Sequence, residues 1–246
     1  MLDVQLYRDG APARAAVRAH TRALQAGDPL RPVTVAVPSN YAGLALRRAL
    51  TRAEGNDRGG LVNVRFLVLP RVIELLGAPL LAASGQRPLT SLLRGELIRS
   101  ALQRVPGIFE HVATHPATEQ RLAETFSELR ELTDDARAAL AASGAQVADV
   151  MRLFNEVQAE IAGSYYDDTA LAIAATEAAR SNHPALRDIG ALIVHSPGPM
   201  NRAERAFVEA LAEVENVTLL LTQVGDSIAD DPTIEQWKSH LKSKLF

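Results

Sequence analysis

Val33-Thr34-Val35-Ala36-Val37-Pro38-Ser39-Asn40 decides how this chain folds. Val33, Thr34, Val35 and Val37 are β-branched and nothing in the run is charged, so neither face of the segment calls for water. A strand without a polar face must be covered on both sides, which is the condition of an inner strand in a parallel sheet. Pro38 cannot donate to a ladder, and Ser39 and Asn40 are residue types that cap helix N-termini. Beyond them Ala42, Ala45, Leu46, Ala49, Leu50 and Ala53 recur at helical i, i+3, i+4 and i+7 spacing. The stretch therefore predicts a strand, a tight turn and a helix.

The same unit repeats outward. Residues 4–7 suit a short strand and Asp9-Gly10 a turn. Pro12 then stands in the first turn of a helix that reaches about Gln25 before Gly27 stops it. On the other side residues 55–60 read as a loop. Residues 64–69 follow as an apolar strand ended by Pro70, and a short helix leads toward Gly77. Three strand–helix steps predict βαβ units and a parallel sheet. From residue 89 to 180 the strong patterns are all helical. Leu89, Leu93, Leu97 and Ala101 form one stripe, and Leu122, Phe126, Leu129 and Leu132 a second. Val147, Val150, Met151, Phe154, Val157 and Ile161 form the third. A fourth helix starts near Asp167 or Asp168, whose carboxylates suit an N-terminus. After His183-Pro184 the α/β pattern returns, with a strand at 191–195 and a rigid Ser196-Pro197-Gly198-Pro199 turn. Asn201 is placed to cap a helix with Glu204 at the capping-box position, and a last strand lies at 217–221. The expected organisation is an α/β core from 1–80 and 189–225, a helical insertion at 81–188, and a tail at 226–246.

Composition narrows the function by exclusion. The 246 residues are 47% hydrophobic and 22% charged, ordinary for a soluble domain with a proper core. No apolar run approaches the roughly 20 residues of a membrane span, and Met1-Leu2-Asp3 lacks a signal-peptide pattern. A cytoplasmic setting without a membrane partner is the expectation. With no cysteine, disulfides and thiol catalysis are excluded. Lysine occurs only as Lys238, Lys242 and Lys244, so none is available to a phosphate loop elsewhere. Residues 1–110 carry 15 arginines against 8 acids, a balance of +7, while residues 111–246 balance to −10. That division admits nucleic acid on the first half and a protein partner on the second, and equally two solvated surfaces.

Val37-Pro38-Ser39-Asn40 with its helix, the strand Val64-Arg65-Phe66-Leu67-Val68-Leu69-Pro70-Arg71-Val72, and Leu192-Ile193-Val194-His195-Ser196-Pro197-Gly198-Pro199 with the helix after it come in a telling order. Together they resemble the N-terminal helicase-like region of AddB-type subunits of bacterial helicase–nucleases, relatives of RecB and UvrD. The resemblance spans about residues 1–223. It implies an α/β fold of the P-loop NTPase type, a parallel sheet with an inserted all-helical subdomain. It further implies a role in DNA double-strand-break repair, with DNA and an AddA-type helicase subunit as partners.

The departures shape the expected chemistry. Where that family has a phosphate loop, this chain has Leu6-Tyr7-Arg8-Asp9-Gly10-Ala11-Pro12-Ala13-Arg14. Gly10 alone survives, Pro12 removes an amide donor, and Ala13 or Arg14 stands where the lysine belongs. At the strand end that should carry a metal-organising Asp there is His195-Ser196-Pro197. The expectation is a degenerate phosphate loop with no catalytic residue, no bound metal, no cofactor and no ATP hydrolysis. The family's C-terminal nuclease domain, of the PD-(D/E)XK type, has no match here, since Glu235-Gln236-Trp237-Lys238 has the wrong spacing; the chain reads as a fragment or truncation of a longer protein. By analogy, Ser39, Asn40 and Arg71 are the candidate DNA contacts, with Arg65 on the strand itself a weaker one. Other constellations take structural readings. His111 and His115 lack a third metal ligand. Glu124, Glu128, Glu131, Asp134 and Asp135 suit an ion-paired helix face beside Arg121, Arg130 and Arg137. Tyr165-Tyr166 suits packing or base stacking. A protein-interaction scaffold without nucleic-acid contact is the competing function.

Overall fold

The computed structural model describes residues 2–52 and 60–241. Ala53, most of the expected loop at 55–60, and Lys242 and Lys244 lie outside the described residues. The chain divides into two compact units, one made of Met1–Leu80 with Leu171–Phe246, the other of Leu81–Ala170.

The first unit is an α/β fold. In chain order its strands are β1 (Leu2–Arg8), β2 (Val33–Val37), β3 (Val64–Val68), β6 (Ala191–His195) and β7 (Val217–Gln223); the short β4 and β5 belong to the second unit. They lie in the order β1-β7-β6-β2-β3, and every pairing is parallel. All five residues of β2 are buried, as an unbroken apolar strand requires. Its one hydroxyl, on Thr34, donates to the Ile189 carbonyl at 2.7 Å and so costs little where it is. Helices α1 (Ala11–Leu24) and α2 (Asn40–Thr51) cover one face, bringing Ala16, Val17, Leu46 and Leu50 onto Val33, Val35, Val37, Ile193 and Leu220. Helix α10 (Arg202–Val214) returns the chain from β6 to β7, the reverse of the direction taken by α2. Right-handed crossovers therefore put α10 on the opposite face.

Helix α3 (Leu69–Ala83) runs through Gly77 and Pro79 rather than ending near Gly77. Gly77 is there for closeness: a Cβ at this position would press into the Leu171 carbonyl and stand 3.1 Å from the Ala175 amide. Both belong to α8 (Asp168–Arg180), whose face of Ala172, Ala174, Ala175, Ala178 and Ala179 is buried. This alanine-lined contact joins α8 to the first unit from Leu171 onward, so the helical unit closes at Ala170 rather than at the expected 188. The expected tail is also part of this unit. Residues Ser227–Trp237 form α11, Trp237 is fully buried, and Leu241 bridges in parallel to Val4.

In the second unit β4 (Arg87–Pro88) pairs in parallel with β5 (Tyr165–Tyr166). Four helices, α4 (Ser91–Arg104), α5 (Pro116–Glu131), α6 (Asp134–Ala141) and α7 (Ala145–Ile161), complete it. Their core gathers Ile98, Leu102, Leu122, Phe126, Phe154 and Val157, with the two phenylalanine rings edge-on at 5.5 Å. The second and third expected stripes lie in this core. Of the first expected stripe, Ala101 is in this core and Leu89 and Leu97 pack against it, while the fully buried side of α4 is centred on Gly95, Ile98, Ala101 and Leu102, where Gly95 lies close to Glu119 of α5. His115 caps α5, accepting from the Ala117 amide at 3.1 Å. Arg87 lies over the Tyr165 ring, 5.4 Å from its centre. Of the arginines expected to pair along the acidic face, Arg121 meets Glu124 and Arg137 meets Asp134, while Arg130 reaches Asp167 at 3.0 Å.

Candidate functional site

Because the strands are parallel, their carboxyl ends share one edge. From β2 the chain moves through α2 toward β3; from β6 it turns back through α10 to β7. The connections part between β2 and β6, which are neighbours in the sheet. Such a divergence is a topological switch point, where open α/β sheets bind their ligands. A cleft of about 150 Å³ opens at this place, walled by Val37, Pro38, Pro70, His195, Pro197 and Pro199, with Glu204 at its side. The prolines explain the opening: each ends or follows a strand, has no amide to extend a ladder, and leaves a flat apolar ring at the edge.

His195 is the last residue of β6 and lines the cleft. Its Nδ1 is buried and has no hydrogen-bond partner among the described residues. Burial pushes its pKa below the usual value near 6.5, and the nearby Asp9 carboxylate opposes that shift. The ring is thus neutral at pH 7, one nitrogen carrying the proton and the other an acceptor. Ser196 follows at φ 50, a left-handed conformation that a serine adopts only when its surroundings hold it there. They do: the Ser196 amide donates to the Leu220 carbonyl at 2.9 Å, and its hydroxyl pairs with that of Thr222 at 2.7 Å. The turn beyond is braced by Gln236 of α11, which accepts from the Met200 amide at 3.0 Å and donates to its carbonyl at 2.8 Å.

At this edge the N-termini of α10 and α2 are occupied by side chains, whereas α1, which begins after Gly10, has no side-chain cap. Asn201 and Glu204 complete the capping box, with the Glu204 amide donating to Asn201 Oδ1 at 2.8 Å and the Asn201 amide donating to Glu204 Oε2 at 3.0 Å. A carboxylate already neutralises the amides that an anion would otherwise seek. On α2 the Ser39 hydroxyl accepts from the Ala42 amide at 3.1 Å. The cleft is therefore apolar with acceptors at its margin, and it is not a phosphate cradle.

The residues singled out from sequence fall in three places. Gly10, at φ 90, is the N-cap of α1, Ala13 is buried in the core, and Arg14 is exposed. Their turn follows the edge strand β1, which β7 separates from β6; none of the three lines the switch-point cleft, although the neighbouring Asp9 carboxylate acts on His195. Ser39 and Asn40 follow the cleft-lining Pro38 in sequence, and neither lines the cleft. Arg71 is exposed and paired with Glu74 at 2.6 Å. Two residues that sequence reasoning passed over stand out. His195 had been read only as a missing aspartate, although a titratable residue closing an all-apolar strand was itself a signal. Tyr41, one residue beyond Asn40, is 87% exposed; its position just inside a helix at a strand end was the available clue.

His20 on α1 shares the behaviour of His195. Burial lowers its pKa, with Asp3 opposing, and its ring meets Gln5 Oε1 at 3.3 Å. Both histidines bind a proton less readily in the folded chain than in the unfolded one. Below about pH 6.5 the unfolded state takes up more protons, so stability falls as pH drops through that value and is level above it. Urea unfolding between pH 8 and pH 5 is expected to show this decline, and His195→Gln to remove part of it. An unchanged slope in the variant would assign the decline to other groups.

No family model matches this chain, and no curated protein matches it. Among the described residues no group of three or more His, Asp or Glu side chains is placed to hold a metal ion. No helix among them is long and apolar enough to cross a membrane.

Proposed function

We propose that this chain is a non-catalytic helicase-like domain of an AddB-type helicase–nuclease subunit. In this reading it works in the cytoplasm in double-strand-break repair, holds DNA along the carboxyl edge of its sheet, and docks to an AddA-type motor subunit. The observation that carries the reading is Tyr41, an aromatic ring 87% exposed in the first turn of α2, shortly after the cleft-lining Pro38. An open tyrosine forgoes burial, and stacking on a nucleobase is a use for such a ring that does not depend on sequence. Arg47 and Arg48 are exposed farther along the same helix, where cations can meet a phosphate backbone. Side-chain caps on α2 and α10 and the absence of lysine from the turn before α1 support a domain that binds a strand without turning over ATP.

The test is fluorescence anisotropy of a labelled single-stranded oligonucleotide titrated with protein at several salt concentrations. Binding is expected to weaken as salt rises, and Tyr41→Ala to weaken it about tenfold, the loss of one stacked base of roughly 1–3 kcal/mol. A titration at low salt no different from that of an inert acidic protein would favour the competing reading, a protein-interaction scaffold without nucleic-acid contact.

A further inference from the structure

Helix α8 is enclosed on nearly all sides. From Leu171 to Arg180 every residue is buried except Ile173, Glu177 and Arg180, which recur at i, i+4 and i+7 and so form one outward line. An open groove of about 650 Å³ lies along that line, walled by Ile173, Thr176, Glu177 and Arg180 of α8 and by Ala203 and Ala206 of α10. The two alanines keep it wide, and Ile173 is 58% exposed. The Thr176 hydroxyl donates to the Ala172 carbonyl at 2.8 Å, and the Ser181 hydroxyl to the Glu177 carbonyl at 2.8 Å. Those donors are spent within α8, so the groove offers apolar surface edged by one carboxylate and one guanidinium. Among the described residues neither the Glu177 nor the Arg180 side chain has an ion-pair partner.

Opposite charges about one turn apart on one helix face select the occupant. A partner of a single charge sign would satisfy one of them and repel the other, and a nucleic-acid strand would be repelled at Glu177. A copy related by a two-fold axis satisfies both, because such an axis brings residue i of each chain to residue j of the other. We propose that the α8–α10 groove is a self-association surface. On it a second copy of this chain docks with the two α8 helices antiparallel, Glu177 of each facing Arg180 of the other and each Ile173 covered by the opposite groove. Neither DNA nor a motor subunit takes part in this contact. An interface built on one helix face and its groove is small, so the dimer is expected to form only at about 10–100 μM.

Sedimentation equilibrium at low salt, from micromolar to submillimolar protein, reads this directly. Glu177→Arg leaves a doubly basic line on α8 and Arg180→Glu a doubly acidic one, so either variant alone sets like charges against each other across the axis. Each is expected to dissociate at least about tenfold more readily than the wild type. In an equimolar mixture the basic line of one variant meets the acidic line of the other, and association should return to at least the wild-type level. Ile173→Asp should leave a monomer, since it would bury an unpaired carboxylate in the contact. All three side chains are exposed, so the variants should melt with the wild type. A wild-type chain that stays monomeric over this range overturns the proposal. So does a wild-type dimer that survives Glu177→Arg unchanged, because its contact then lies elsewhere, and so does a mixture of the two charge variants that remains monomeric.

Discussion

Gly190→Ala is expected to lower the stability of the domain by roughly 2–6 kcal/mol. Two independent costs meet at this residue. Its backbone, at φ 63 and ψ −148, lies in a region open to glycine and strained for any residue with a Cβ. An added Cβ would also press into the Pro32 carbonyl oxygen and stand 2.7 Å and 2.8 Å from its carbon and Cβ. Neither partner can yield cheaply. Pro32 leads into β2, its carbonyl accepts from the Ala191 amide at 3.2 Å, and Gly190 itself donates to Leu186 at 2.9 Å. The pair fixes where β6 begins beside β2, the two strands that enclose the cleft. A loss of this size is a large part of the 5–15 kcal/mol that holds an ordinary domain together. Thermal unfolding followed by circular dichroism should show a fall of about 10 °C or more. Gly198→Ala is the control: its Cβ would meet nothing within 4 Å, and it should melt with the wild type. Equal melting of the two variants would refute the argument.

The parts of this fold that could be read in advance are those whose physics is local. Val33–Val37 had to be an inner strand because it offers no polar face. Ser39 and the Asn201–Glu204 pair had to cap helices because those side chains satisfy amides within three residues of themselves. Strand order is not local. Whether β1 lies at an edge or between two others depends on side-chain packing across the sheet, which a run such as residues 4–7 does not express. The turn after β1 could therefore be seen to lack a lysine, while the placing of β7 between β1 and β6 could not be seen. Helix α11 escaped for a different reason. Its sequence, Ser227-Ile228-Ala229-Asp230-Asp231-Pro232-Thr233-Ile234-Glu235-Gln236-Trp237, has a proline inside and no apolar stripe, so neither period nor propensity announces it. It is held by particular contacts instead. Asp230 accepts from the Val224 and Gly225 amides at 3.0 Å and 2.9 Å, and Trp237 supplies the anchor. The cleft was half legible: its prolines were in view, but the coming together of β2 and β6 was needed to make them one site.

Trp237→Ala should destabilise the domain by about 3–5 kcal/mol, the usual cost of removing a buried indole. Trp237 has no exposed surface and is among the largest fully buried side chains in the chain. Its Nε1 has no hydrogen-bond partner among the described residues, so its contribution is one of volume and contact. Trp237→Phe keeps most of that volume and leaves no polar group stranded, and it should cost well under half as much. The consequence reaches the cleft through the adjacent residue. Gln236 clasps both backbone groups of Met200, in the turn that carries Pro197 and Pro199, and it can do so only while Trp237 seats the end of α11. Gln236→Ala should thus loosen the turn at a small stability cost, about 1–2 kcal/mol for two exchanged hydrogen bonds. Trp237→Ala should loosen the turn and the fold together. Urea denaturation separates the variants by their midpoints, and the His195 ring resonances report the turn. If Trp237→Ala unfolds at the wild-type midpoint, α11 is an appendage and the bracing of the cleft must come from elsewhere. If Gln236→Ala leaves the His195 resonances in place, the turn holds its own shape and the clasp is incidental.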